Sequence, residues 1–465
     1  MDTDASTITD LGGDSLAAPA TAPGTVAALA VVWSRAPRVG EVFLLAQRGA
    51  LFIGRGTRLT ASDPRHLRPV QQRPGGNVAC QPLSSPRLSR EQLRLQPLDG
   101  SHTVTNHGRL PLSVNGHTVE RARLTPGDVL QLGSELVLLY QHRPARLPEG
   151  APLHTFGQPD ADGIVGEGPA AWALRRSLRR VAGRAAPVLL LGESGTGTEL
   201  AAQAVHRLSG RAGVLAARSA ATFPEGLVDA ELFGNIRDYP NPGMPARPGL
   251  VGEAHGGTLF LDELGELPPA MQARLLRLLD DGDYHRLGES AARRADIRFL
   301  AATNRAPEVL KRDLLARLSQ RILLPGLGER PEDIPLLLAH LLRTAGSAQA
   351  DRFLRDDGSV RITPALLSAL LTHRYTTHVR ELRRLLWAAI DGSRGRYLDV
   401  HDGVVRDTGS DPPPGTSDPA ALTREDVLAA LRACGFVQAR AWRRLGLSSR
   451  HQLGRLIKKL DVPLD

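Results

Sequence analysis

The feature that most restricts the fold is a short apolar run, Val188, Leu189, Leu190 and Leu191, followed directly by Gly192-Glu193-Ser194-Gly195-Thr196-Gly197-Thr198-Glu199. The aliphatic residues predict a buried strand. The glycines permit a tight turn, and the polar residues after Gly197 start a helix. A strand, a glycine-rich turn and a helix start gather backbone amides at the positive end of a helix dipole, which suits a phosphate group. Buried-strand patterns recur at 188–191, 258–261 and 297–301 with helical stretches between them. That alternation predicts an α/β domain over 164–330 built on a parallel sheet. Residues 331–408 read as a helical lid.

A glycine-rich loop alone is a weak signal. Here it is followed by Glu231-Leu232-Phe233-Gly234, by Gly256-Gly257 leading to Asp262-Glu263, by Asn304-Arg305, by Arg312-Asp313 and Arg317-Leu318, and by Arg330-Pro331-Glu332-Asp333. In order and spacing these resemble the central AAA+ P-loop domain of bacterial enhancer-binding proteins, the activators of sigma-54 RNA polymerase. The resemblance implies ATP or ADP held at Gly192, Glu193, Ser194, Gly195, Thr196, Gly197, Thr198 and Glu199. It further implies that Asp262 holds magnesium, that Glu263 polarises the attacking water, and that Asn304 senses the γ-phosphate. Arg317 would act in trans on a neighbouring subunit's nucleotide, with Arg380 as a second sensor. A ring or dimer is implied, homo- or hetero-oligomeric, with sigma-54 polymerase as a partner.

The sequence departs from that family in four places. Thr198 stands where the family has its P-loop lysine, and a hydroxyl cannot supply that point charge. Lys311 stands at the first arginine-finger position. The six-residue loop that touches sigma-54 in the family, GAFTGA, is replaced by Asp238-Tyr239-Pro240-Asn241-Pro242-Gly243. The lid keeps Arg380 but begins Tyr375-Thr376-Thr377-His378 instead of Trp-Pro-Gly-Asn. These departures predict weakened nucleotide binding, impaired hydrolysis and an impaired sigma-54 contact. The competing reading keeps the fold as an oligomerisation scaffold that binds nucleotide weakly or not at all.

Residues 25–143 have a different character. Short β-prone runs at 26–33, 42–46, 51–53, 93–96, 112–114, 129–132 and 136–140 are separated by Gly, Pro, Asn and Asp, the pattern of a β-sandwich. Arg55 follows a strand at Gly54. Then come Ser89-Arg90-Glu91-Gln92, Asn106-His107-Gly108, Asn115-Gly116 and Pro126-Gly127-Asp128. These motifs resemble a forkhead-associated domain, whose loops bind phosphothreonine. The resemblance implies that Arg55 and Ser89 contact phosphate with Arg90 beside them, and that Asn106 holds the peptide backbone. Gln92 stands where the family usually has a buttressing His. A phosphate does need a fixed guanidinium and hydroxyl or amide donors. The bland alternative is a docking domain without phosphate dependence. The insertion 58–84 has no explanation from sequence.

The remaining segments are read from composition. Residues 1–24 are small and polar and predict a disordered tail. Residues 144–163 and 409–420 are proline-rich and predict linkers. No basic stretch followed by an apolar run opens the chain, no apolar run is long enough to span a bilayer, and the two cysteines, Cys80 and Cys434, lie far apart. A cytoplasmic protein with reduced thiols and no membrane association is expected. The formal net charge is +9, which favours a polyanionic partner.

Residues 421–465 read as three short helices, at 422–434, 438–445 and 449–460. From Val427 to Leu460 there are eight Lys and Arg residues and no acids. The pattern resembles the Fis-type helix-turn-helix that ends enhancer-binding proteins. It implies DNA contacts by Ser449, Arg450, His451, Gln452, Arg455, Lys458 and Lys459. Two functions follow from the whole. One is a DNA-binding transcription regulator gated by a phosphothreonine-bearing protein. The other is a non-catalytic phosphoprotein adaptor that co-assembles with an intact paralogue.

Overall fold

The structure is a computed structural model. It describes residues 24–45, 49–56, 63–224, 226–400, 422–433, 442, 445, 447 and 450–460. The chain divides into two compact units, residues 1–180 and 181–465.

The first unit is built from two sheets. Its strands are β1 (Thr25–Ser34), β2 (Val42–Leu44), β3 (Leu51–Ile53), β4 (Val70–Arg73), β5 (Gly76–Ala79), β6 (Leu93–Leu98), β7 (Ser101–Asn106), β8 (Leu112–Val114), β9 (His117–Thr118), β10 (Arg121–Leu124), β11 (Val129–Leu132) and β12 (Leu136–Pro144). Eight of them lie in the order β5-β4-β2-β1-β12-β11-β8-β9, and four in the order β10-β7-β6-β3. The pairings within both sheets are antiparallel. Alternate residues of each strand supply one shared core: Leu29, Val31, Phe43 and Leu138 from the larger sheet, Ile53, Leu93, Leu95 and Val104 from the smaller. β1 is apolar on both faces, and its outward Ala28 and Ala30 form a second small cluster with Val42. Asn115 and Gly116, at φ +50° and +82°, make the tight turn between β8 and β9, a hairpin geometry these two residues favour.

The insertion 58–84 supplies the hairpin β4–β5, which adds two strands beyond β2. The hairpin holds the segment that follows β12. Gln72 donates to the carbonyls of Pro144 and Ala145 at 3.0 and 3.2 Å. The Arg73 guanidinium lies over Phe156 and Trp172, 4.8 and 5.9 Å from the ring centroids. Helix α1 (Pro169–Ala182) buries Trp172 to 1% exposure, against the His154 ring at 5.0 Å. Arg175 bonds Asp160 at 2.7 Å and the carbonyls of Gly166 and Ile164 at 2.8 Å each. Residues 144–163 therefore have a linker's composition but are bonded into the unit. Their Leu147, His154, Phe156 and Asp160 each have a partner or a buried place.

The second unit holds a five-stranded parallel sheet. Its strands are β13 (Val188–Leu191), β14 (Leu215–Ser219), β15 (Thr258–Asp262), β18 (Arg298–Thr303) and β19 (Gln320–Leu323), in the order β14-β15-β18-β13-β19. β16 (Asp283–Tyr284) and β17 (Arg293–Arg294) form a separate small hairpin. The flanking helices are α2 (Thr198–Ser209), α3 (Val228–Phe233), α4 (Gly249–Glu253), α5 (Pro269–Asp281) and α6 (Arg312–Arg317). Leu189, Leu259, Leu261 and Phe299 of the strands pack with Leu275 and Leu278 of α5. The region expected to be a helical lid contains α7 (Ile334–Thr344), α8 (Ala348–Asp351), α9 (Pro364–Thr372) and α10 (His378–Gly392). Thr363 caps α9 through the Leu366 amide, and Pro364 occupies a position where its missing N–H costs nothing.

Near the C-terminus, α11 (Arg424–Ala433) and α12 (Arg450–Lys459) are described. Thr423 and Asp426 cap α11 reciprocally, as in a capping box. Val427, Leu431, Leu453, Leu456 and Ile457 share a core with Leu445 and Leu447. The middle helix expected at 438–445 lies outside the described residues apart from Trp442 and Leu445, as do Cys434, the 409–420 segment and the N-terminal tail before Gly24. Among the described residues, no helix is long and apolar enough to cross a membrane.

Candidate functional site

The turn between β13 and α2 joins the strand to the helix start at the position where a phosphate loop was expected. The Gly192 amide donates to the Thr303 carbonyl at 3.3 Å, and the Thr196 amide and hydroxyl donate to the Glu193 carbonyl at 3.2 and 2.8 Å. Gly197 has φ +103° as α2 begins, a backbone state in which a Cβ is strained. A Cβ there would meet nothing within 4 Å. The backbone thus fits a phosphate. At the helix start, where a lysine would add charge, Thr198 instead donates its hydroxyl to Asp262 Oδ2 at 3.3 Å. Glu199 is exposed in the first turn.

Asp262 ends β15, beside the loop. Burial raises its pKa from the ordinary carboxylate value, opposed by the Glu263 backbone N–H at 2.9 Å and by Thr198. Those hydrogen-bonding partners are neutral donors. Glu263 adopts φ +53° and accepts a hydrogen bond from the Ser219 hydroxyl at the end of β14. Asn304 is exposed just past the end of β18. The lid closes on the loop from the side of α10. Arg380 donates to the Ser194 hydroxyl at 2.8 Å, and the Val379 amide donates to the Gly195 carbonyl at 3.2 Å. A Cβ on Gly195 would lie 2.2 Å from the Thr377 carbonyl oxygen, which leaves room only for glycine.

His378 belongs to this site and sequence reading had not assigned it a role. It sits at φ +41° and is 7% exposed. Its Nε2 lies 3.0 Å from Glu193 Oε2, and its Nδ1 accepts the Leu327 amide at 3.2 Å. The signal was the departure from the family's lid motif at this position. Arg317 lies away from these contacts, at the end of α6, paired through two nitrogens with Asp280 of α5 at 3.0 and 3.2 Å.

The sigma-54 loop position is a closed structure. Asn235, fully buried, donates to the carbonyls of Ile236, Tyr239 and Pro245 at 2.8, 3.2 and 3.0 Å. Asp238 donates its amide to the Met244 carbonyl and accepts the Gly243 amide on its carboxylate. The Tyr239 ring packs directly over Gly288.

In the first unit, three loops meet around Ser89. The Arg55 amide donates to the Ser89 carbonyl at 2.9 Å, and the Arg109 amide donates to the Ser89 hydroxyl at 3.0 Å. Gln92 is fully buried beneath them. Its Oε1 accepts the Ser89 amide at 3.2 Å, and its Nε2 donates to Asn106 Oδ1 and the Leu110 carbonyl at 2.8 and 3.0 Å. Asn106 also donates to the Leu110 carbonyl at 3.0 Å. Gln92 therefore braces the arrangement from beneath. Arg90 is exposed, and its carbonyl lies 3.2 Å from His66 Nε2.

On α12, Arg455 and Lys458 are exposed while Leu453, Leu456 and Ile457 are buried, so the two cations share the solvent side. Arg450, His451, Gln452 and Lys459 lie on the same helix, and Ser449 lies outside the described residues.

Comparison with known proteins places the second unit. Residues 164–323 match the Sigma-54 interaction domain. The chain is 31% identical to a Nif-specific regulatory protein of Bradyrhizobium diazoefficiens, over 76% of this chain and 68% of that protein. It is 34% identical to the transcriptional regulatory protein ZraR of Escherichia coli, over 71% of this chain and 75% of that one. A crystal structure of NtrX from Brucella abortus in complex with ADP is similar at 28% identity, with a TM-score of 0.47, over 64% of this chain and 70% of that one. The chain belongs to the family of sigma-54-dependent transcriptional regulators. It spans 59% of the length of the Azotobacter vinelandii Nif-specific regulatory protein, at 36% identity.

Proposed function

We propose that this chain is a DNA-binding transcription regulator whose AAA+ unit holds nucleotide weakly and does not hydrolyse it efficiently, and whose β unit reads a phosphothreonine-bearing protein. The observation that carries the reading of the AAA+ unit is Thr198, hydrogen-bonded to Asp262 at 3.3 Å where the family's lysine would supply charge. The loop amides and helix dipole remain as phosphate ligands. Asp262 would hold magnesium arriving with the nucleotide, Glu263 would orient water, and Arg380 would reach the phosphates from the lid. Without the ammonium, charge developing between the transferred phosphates has less to stabilise it.

ADP and ATP titration of the purified chain, with turnover, tests this. Thr198→Lys is expected to tighten nucleotide binding on the order of tenfold to a hundredfold, the value of one charge-assisted contact. Wild-type hydrolysis at a rate normal for an active family member, abolished by Glu263→Gln, would overturn it. Activation of sigma-54 polymerase is not expected to return with Thr198→Lys. The 238–243 loop lacks the Phe-Thr tip and is fastened from within by Asn235.

A second reading, a non-catalytic adaptor in a mixed assembly with an intact paralogue, is favoured by Arg317. It is an exposed side chain at a helix end, and it would exchange Asp280 for a neighbour's nucleotide. Stimulation of a paralogue's turnover by wild-type chain and not by Arg317→Ala would select it.

A further inference from the structure

A cleft of about 630 Å³ lies against the closed 235–247 loop. It is bordered by Phe233 and Tyr239, by Arg274 and Arg277 of α5, and by residues 283–289 at the β16–β17 hairpin. It shares no residue with the glycine-rich turn at 192–199. Small-molecule sites span about 300–1,000 Å³, so its size suits a small ligand. Its charges do not cancel. Arg274 is engaged by Asp229 and by the face of Phe233, 5.2 Å from the ring centroid. Glu289 is held by Arg293 at 2.7 and 2.9 Å, and the charges of Arg286 and His285 reach it only as lesser influences. Asp283 stands opposite Arg294 in the hairpin register. Both of those partner arginines form β17, outside the border of the cleft. Arg277 and Arg286 remain. Among the described residues, neither has a hydrogen bond or an ion pair.

Arg286 carries the argument. It is half-buried, and its Nε is shielded from solvent with no hydrogen-bond partner. Such a guanidinium has given up water without gaining a partner, which is unfavourable. Helix α4 is where a counter-charge could stand. A Cβ on Gly252 would lie 4.0 Å from Arg286 Nη2 and 3.4 Å from the Tyr284 hydroxyl. Because that residue is glycine, α4 offers the guanidinium nothing. A guanidinium fork matches two oxygens of one anion. A phosphate monoester carries about −1.5 to −2 near neutral pH, which Arg277 and Arg286 together balance. The rest of the border is aromatic or apolar: Tyr239 is 42% exposed, and Leu287 is half-buried. A bare oxyanion leaves that wall wet, whereas a ring carried by the phosphate covers it. We infer that the cleft binds a small phosphate monoester bearing a planar ring, of the aryl or nucleoside phosphate class. Its phosphate sits on Arg286 and Arg277 and its ring against Tyr239. The occupant joins the 235–247 loop to the hairpin, which makes this an effector site.

Calorimetric titration of the full chain with phenyl phosphate, inorganic phosphate and benzoate tests this. Phenyl phosphate should bind more tightly than inorganic phosphate, which lacks the ring. It should bind about tenfold more tightly than benzoate, which has the ring but a single charge. Arg286→Gln should weaken phenyl phosphate at least about tenfold, the worth of a charge-assisted contact. Gly252→Glu keeps the arginine and offers it an internal carboxylate. Its Cβ would lie 3.1 Å from Pro248 Cβ, so the proline has to give by a few tenths of an ångström. This second variant should weaken phenyl phosphate to the same degree, so a folding defect in the first does not leave the question open. Arg380→Gln alters the nucleotide site and should not change phenyl phosphate affinity. An affinity untouched by Arg286→Gln and Gly252→Glu, or lowered by Arg380→Gln instead, places the anion elsewhere and overturns the site. Absence of binding at millimolar phenyl phosphate overturns it as well. Benzoate or inorganic phosphate binding as tightly as phenyl phosphate overturns the ligand class.

Discussion

At the residue scale, function hangs on which side chain fills a fixed backbone position. Glu381 shows how such positions are maintained. It lies in α10 with its side chain buried, and accepts from the Thr376 and Thr377 amides at 2.7 and 3.1 Å and from His373 Nε2 at 2.9 Å. Burial opposes its ionisation, but the hydrogen bonds from His373, Thr376 and Thr377 outweigh burial and hold the carboxyl at about 2, against an ordinary value of 4.5. A folded value below the unfolded one stabilises the native state above the unfolded pKa and loses that stability as pH falls through the folded one. The unfolding temperature should therefore fall as pH drops from about 4.5 to 2, and Glu381→Gln should flatten that part of the profile. The same variant should loosen the Thr377–His378 turn and lower nucleotide affinity. A pH profile identical to wild type would show that the carboxylate does not anchor the turn. The glycine-rich turn after β13 and the Asp262–Glu263 pair at the end of β15 stand out in sequence as local motifs, whereas the Ser89 cluster joins three separate loops and its Arg109 was not singled out. The role of His378 was not legible, since it depends on a left-handed backbone and on Glu193, 185 positions away.

At the element scale, strands with strong apolar runs were legible and weak ones were not. β13, β15 and β18 are almost wholly buried, whereas β14 exposes two of its five residues and β19 two of its four. An edge strand of that kind looks like loop until a neighbour pairs with it. The same holds for β4, whose only fully buried residue is Gln72. Here the driving interaction is with the segment 144–175, which no local pattern encodes. The 235–247 loop is the clearest element held by one side chain. Asn235→Asp replaces the donor that serves three carbonyls with a carboxylate facing them. The substitution is expected to cost about 2–3 kcal/mol. Limited proteolysis should show cleavage within 236–246 appearing in the variant and absent from wild type. If the loop stays as resistant as before, its closed form does not depend on Asn235.

At the scale of the whole molecule, charge is the legible quantity. The net +9 is carried partly by the basic C-terminal helices. On α12 the apolar positions are spent on the core and Arg455 and Lys458 are left outside. Removing residues 421–465 is expected to abolish sequence-specific DNA binding. In the intact chain, the logarithm of affinity should fall with the logarithm of salt, with a slope of about −0.9 per phosphate neutralised. Electrophoretic mobility shift across a salt series checks both. Retained operator binding by the shortened chain would move the DNA site elsewhere. The alternation of strands and helices announced the α/β unit from sequence. The attachment of residues 144–168 to the β unit was hidden, because proline-rich composition describes local stiffness and not what the segment's histidine and aromatic rings find to pack against.

The hairpin β4–β5 also changes where the large sheet stops. With it in place, the sheet ends at one side in the four residues of β5 and at the other in the two residues of β9. Unpaired sheet edges invite other chains to add strands, and short polar edges discourage it. β5 is Gly-Asn-Val-Ala, and β9 is His-Thr. The insertion therefore moves the border from β2, whose Val42 and Phe43 are apolar, to a strand of four residues, and short edges template other strands less readily than long ones.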